Sequence, residues 1–119
     1  MNRLRHVFMG IATAVALGVG GAAVAHHGWT GYNEAAQKLS GVIEESSYAS
    51  PHGSIRLKVA DRSWLVILAP PSRMTNRGLT PGMLKVGSNV SVEGYQHKTD
   101  AGEMRAERIT VDGKTVELR

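Results

Sequence analysis

Between Leu39 and Leu118 the chain falls into short stretches in which apolar and polar residues alternate, each closed by a turn sequence. A period of two is the pattern of a half-buried β-strand. Strands this short with turns this frequent restrict a chain to a small β barrel or sandwich. The first strand is expected over Leu39–Ser47, with Leu39, Gly41 and Ile43 on one face and Gly41 marking a bend. After the turn cluster Tyr48–Gly53, strand two (Ser54–Ala60) points Ile55, Leu57 and Val59 inward and Arg56 and Lys58 outward. Asp61-Arg62 reads as a two-residue hairpin. Strand three (Ser63–Ala69) is apolar on both faces, as a central or covered strand is.

Pro70-Pro71 ends that strand. Ser72 is then expected to cap a short helical turn through Arg77, with Gly78 past its end, and Thr80-Pro81 to open another. Strand four (Val90–His97) has a bend at Gly94. Lys98–Gly102 is a loop, and strand five (Glu103–Val111) slips phase at Arg108-Ile109, as a bulge does. Asp112-Gly113 is the strongest hairpin signal in the chain and leads to a last strand, Lys114–Leu118. Three strands, a connection with a helical turn and two or three more strands make the order of a small, partly open OB-type barrel of five to six strands. An SH3-like barrel or an open sandwich is the alternative.

The first 25 residues read differently. Arg3, Arg5 and His6 precede an uncharged run from Val7 to Val24 that ends in Ala23-Val24-Ala25. This is the basic, apolar and small-residue plan of a secretory signal, with a signal helix and cleavage after Ala25. A membrane anchor is the rival, since the run is just long enough to span. Its Gly and Ala content and its small terminal residues favour cleavage. The expected organisation is a signal peptide (1–25), an N-terminal arm (26–38) pinned by Trp29 and Tyr32, and the β domain (39–119), in a periplasmic or secreted protein. Asn33–Lys38 of the arm has the composition of one helical turn.

Removing 25 of the 119 residues leaves 94, one small domain with a modest core. Two of the 14 Lys and Arg residues leave with the signal, so 12 face 10 Asp and Glu and the net charge falls from +4 to +2. Bulk charge then gives no argument for nucleic acid or for an anionic membrane surface. With no cysteine, thiolate metal sites and Cys nucleophiles are excluded.

The residues also carry a resemblance. The mature part opens Ala25-His26-His27-Gly28-Trp29. Gly41-Val42-Ile43, Ser50-Pro51-His52 and Lys85-Val86-Gly87-Ser88-Asn89-Val90 follow. In these the chain resembles a group of small exported bacterial proteins of a domain-of-unknown-function family. Those proteins open Ala-His-His-(Ser/Gly)-(Trp/Phe) and later carry a Gly-x-Val strand, Asn-Pro-His and a Lys-x-Gly-Asp-x-Val turn. The likeness covers nearly all of the mature domain and rests on short motifs. Ser50 stands where the pattern has Asn, and Ser88 where it has Asp. The resemblance implies an OB-like fold and export, and no activity.

Cleavage after Ala25 gives His26 a free α-amine beside its own ring nitrogen, a chelating pair that internal histidines lack. One more imidazole completes a three-nitrogen set suited to copper. The preferred set is His26 with His52, His27 standing in reserve; His97, beside Lys98, is expected at the surface. The plain alternative is a polar chain start and a histidine that braces its turn.

A second reading is an OB-type face without metal, for a small ligand or a protein partner. Arg56, Lys58, Arg105 and Arg108 would line it, with Tyr48 and Tyr95 as the stacking candidates. Enzyme chemistry has little support. Glu44 and Glu45 are strand neighbours and point apart. No Ser-His-acid set, phosphate loop or His-Glu-x-x-His occurs.

Overall fold

The computed structural model describes residues 29–119. The expected signal helix and both His26 and His27 lie outside the described residues. Trp29 and Thr30 sit in a turn, and the β domain runs from Gly31 to Arg119.

Its elements are β1 (Tyr32–Ser47), β2 (Ser54–Val59), β3 (Arg62–Ile67), a short helix α1 (Pro71–Asn76), a 3-10 turn (Pro81–Leu84), β4 (Asn89–His97), β5 (Glu103–Val111) and β6 (Lys114–Glu117). The strands join in the order β3-β2-β1-β4-β5-β6, and β3 also pairs with β5. That last pairing is parallel and three residues long, from Leu65 opposite Glu103 to Ile67 opposite Arg105. It turns the sheet into a five-stranded barrel joined by one short seam, the partly open OB-type layout. Among the described residues no helix is long and apolar enough to cross a membrane.

The inward faces of the strands form the core. Ile43, Ile55, Leu57, Trp64, Val66, Val92, Met104 and Ile109 are buried there. α1 adds Met74 and the connection adds Leu79 and Leu84, so the segment between β3 and β4 contributes to the same core.

Two glycines let strands cross closely. A Cβ on Gly41 would stand 2.0 Å from the Lys58 carbonyl oxygen, and one on Gly94 would stand 2.1 Å from that of Arg105. Only a residue without Cβ fits either place. The β5 bulge sits at Glu107: Gly94 faces Ala106 while Glu93 faces Arg108.

Several local expectations change. β1 begins at Tyr32 rather than Leu39, so the end of the arm is strand and not a helical turn. Tyr32 faces His97 and Ala36 faces Tyr95, with an irregularity between them that hides the alternation. The tight turn is Ala60-Asp61, since Val59 already pairs with Arg62. Arg62 is held in β3 by its guanidinium, 4.3 Å over the Trp64 ring and bonded to the Ala101 carbonyl. Ser72 does not cap α1. The helix starts two residues earlier, with Pro70 as N-cap and Pro71 in its first turn, and no side chain caps it. Gly78, at φ +87°, does end it.

Candidate functional site

His52 is the one member of the proposed ligand set among the described residues. It lies in the β1–β2 turn, next to a glycine bonded on both sides. Gly53 N–H donates to the Ala69 carbonyl and Gly53 C=O accepts from Leu68 N–H, each at 2.8 Å. Met74 lies so close that a Cβ on Gly53 would meet its methyl at 2.5 Å. The end of β3 and α1 therefore fix the turn, and with it the place of the imidazole.

The half-buried ring meets Arg105, whose Nη2 is 3.4 Å from His52 Nε2. A guanidinium can only donate, so Nε2 accepts and the neutral ring carries its proton on Nδ1. Burial first, then the Arg105 and Arg73 charges, push the His52 pKa below the usual 6.5. The imidazole is thus held neutral at neutral pH.

Arg105 connects this corner to the start of β1. Two positions back on the same strand face, Glu103 accepts a 2.5 Å hydrogen bond from the Tyr32 hydroxyl. Desolvation, then that bond, raise the Tyr32 pKa well above its ordinary range, so the phenol stays a donor. Tyr32 is therefore the anchor expected of it. His97, edge-on to the Tyr32 ring at 5.1 Å, is only half-exposed. Its Nδ1 accepts from the backbone N–H groups of Thr99 (3.2 Å) and Asp100 (3.0 Å), which ties the histidine to the β4–β5 loop.

Of the four cations expected to line a binding face, two are engaged by carboxylates. Arg56 and Lys58 do point outward from β2, but Arg56 faces Glu45 at 3.5 Å. Arg108 lies between three carboxylates: Glu93 at 2.6 Å, Glu117 at 2.9 Å and Glu107 at 3.6 Å. The hydrogen bond with Glu117, first among the causes, raises the Arg108 pKa and lowers that of Glu117. Both tyrosine hydroxyls are tied to the fold. Tyr48 donates to the Leu79 carbonyl at 2.6 Å, bracing the connection, and Tyr95 donates to Glu107 at 3.1 Å.

A bulge at Glu44 brings both acidic neighbours of β1 to the surface rather than to opposite faces. They remain separate chemically, since Glu44 accepts from Ser63 and Glu45 pairs with Arg56.

On the outer side of β1, β4 and β5 lies a shallow groove of about 260 Å³, lined in part by Ser40, Asn89, Ser91, Thr110 and Asp112. Its hydroxyls bond in pairs, Ser40 with Ser91 at 2.7 Å and Thr110 with Thr115 at 2.8 Å. No three potential metal ligands converge among the described residues. The meeting of His52 with Arg105 is not legible in the sequence, where Arg105 is grouped with Arg56, Lys58 and Arg108 on one OB-type face. The only signal was its outward place in the alternation of β5.

A family model described as "Family of unknown function (DUF6152)" matches residues 14–105, from before β1 to the first three residues of β5. No curated protein matches the chain.

Proposed function

The chain belongs to the family of unknown function DUF6152, and we propose that it acts as an exported OB-type binding protein that takes copper at the His52 end of its barrel. The observation that carries this reading is the neutral, half-buried imidazole of His52. A neutral ring is the form that coordinates a metal. In this reading cleavage after Ala25 delivers the protein to the periplasm or the medium and frees the His26 amine. That amine, the His26 ring and His52 Nε2 supply three nitrogens, with His27 in reserve.

Five residues separate His26 from Tyr32, a reach of at most about 20 Å. From Tyr32 the bond to Glu103 leads to Arg105, about 7 Å along the strand, and Arg105 touches His52. The Arg105 and Arg73 charges oppose any cation there, and oppose a doubly charged one more. This favours copper(I), which also tolerates three neutral nitrogens in a T-shaped set. Copper must displace Arg105 from Nε2, a weak contact at 3.4 Å.

Mass spectrometry of the exported chain together with metal analysis tests the proposal. A chain beginning at His26 and carrying copper is expected. Uptake is expected to vanish on His52→Ala or on adding one residue before His26, and to strengthen in Arg105→Met. Copper uptake indifferent to both of the first two changes overturns it.

A second reading has its own observation. Arg105 and Arg73 are both close enough to His52 to depress its pKa, which makes the corner cationic. A small oxyanion suits such a cationic place. Phosphate should then raise Tm above that in chloride of equal ionic strength, and Arg105→Met should remove the effect. Equal Tm in both salts eliminates this reading.

A further inference from the structure

The loop between β4 and β5 is held from a single ring atom. His97 closes β4, and its Nδ1 accepts the backbone N–H of Thr99 at 3.2 Å and that of Asp100 at 3.0 Å, with the Thr99 hydroxyl 3.3 Å away. An imidazole nitrogen accepts only while it is unprotonated, so the neutral ring carries its proton on Nε2. The Tyr32 ring lies edge-on to the imidazole, and Lys98 N–H donates to the Gly31 carbonyl at 2.8 Å.

From Asp100 the bonds lead to the seam of the barrel. The Asp100 carboxylate accepts from Gly102 N–H at 3.0 Å, and the Asp100 carbonyl accepts from Glu103 N–H at 3.2 Å. The Gly102 carbonyl in turn accepts from Leu65 N–H at 2.8 Å, and Leu65 opposite Glu103 is the first of the three pairs that join β3 to β5. The state of one imidazole nitrogen therefore reaches the seam through two residues of the loop. Arg62 and Gln96 donate to the Ala101 carbonyl whatever the state of the ring, so the loop can loosen without leaving.

We propose that His97 is an acid-released clasp: a proton on Nδ1 turns the acceptor into a donor facing two N–H groups, frees Thr99 and Asp100, and loosens the β3–β5 seam through Gly102. Histidine is the side chain that changes charge in mild acid. The titratable and charged groups around this ring are Tyr32 from β1, Lys98 and Asp100 from the loop and, behind the Tyr32 hydroxyl, Glu103 from β5. Asp100 is the one carboxylate of the loop. If it turned toward the protonated ring it would give up Gly102 N–H, which loosens the same joint. The clasp shares no group with the His52 corner, so it stands whether or not copper binds there.

Hydrogen exchange of the full chain, read by NMR at about pH 7.5 and about pH 5.5, on either side of the ordinary histidine value, tests it. Protection of Leu65 N–H is taken relative to the β4–β5 ladder, so that global unfolding cancels. In the native chain this ratio should fall about tenfold at the lower pH. In His97→Asn a side-chain oxygen replaces Nδ1 as acceptor and does not titrate, so the ratio should stay high at both pH values. In His97→Leu no acceptor remains, and the ratio should be low at both. A native ratio that is equal at the two pH values overturns the proposal. So does a fall of the same size in His97→Asn, or a His97→Leu chain that protects Leu65 as the native chain does.

Discussion

Arg105 Nη2 lies 3.4 Å from His52 Nε2, and the contact holds only while the imidazole is neutral. Protonation would turn an acceptor into a donor facing a guanidinium and place a charge between Arg105 and Arg73. The folded pKa lies below the ordinary 6.5 for this reason and because the ring is partly desolvated. As pH falls through 6.5, the unfolded chain takes the proton first and gains on the folded one, so the margin of stability shrinks. The stability that His52 contributes is thus complete above 6.5 and is lost on acidification. Urea midpoints measured between pH 7.5 and pH 5, on a scale set by the ordinary histidine value, should decline in the native chain and decline less in His52→Gln. Equal slopes would remove His52 from this role.

Gly41→Ala should be strongly destabilising. The added methyl would stand 2.0 Å from a backbone oxygen, that of Lys58, which moves only if β1 and β2 separate. A loss of about 2 kcal/mol or more is expected from chemical unfolding.

Ala60→Gly should act in the opposite direction. Ala60 holds φ +56° in the β2–β3 turn, a left-handed conformation that its Cβ disfavours. Glycine relieves that strain but adds freedom to the unfolded chain, so a net gain of about 0.5–1 kcal/mol is expected. Calorimetry should show a higher Tm.

Arg108→Met should lower Tm slightly in dilute buffer. The substitution leaves Glu93, Glu107 and Glu117 facing one another without the cation that now joins them. Because these groups are partly exposed, added salt should shrink the difference from the native chain. A difference independent of salt would point to packing of the arginine stem instead.

The barrel was readable in the sequence because its information is local. Ile55, Leu57 and Val59 alternate with Arg56 and Lys58, Asp112-Gly113 names its own turn, and the β5 slip is visible as a broken phase near Arg108. What escaped was set by partners distant in sequence. Asn33–Lys38 has no strand pattern of its own, and becomes strand because β4 lies beside it. Ala60-Asp61 supplants Asp61-Arg62 because Arg62 is held by Trp64 and Ala101. The candidate site divides in the same way. His52 stood out by residue type and by its turn, whereas Arg105 drew notice only as one of several outward cations. Nothing in local sequence shows that residues 52 and 105 meet, since the β3–β5 seam alone brings them together.

That seam also governs when the domain can exist. β3 has its second neighbour only once β5 is present, and the start of β1 waits for the end of β4. A chain emerging from its N-terminus can make the β1–β2–β3 meander early, yet it cannot close the barrel until nearly all of its residues are available. Contacts so widely spaced along a chain form late. Until β5 is in place the chain holds only an open meander with an unpaired β3 edge, so a truncation inside β5 should cost the whole barrel and not just its last strand.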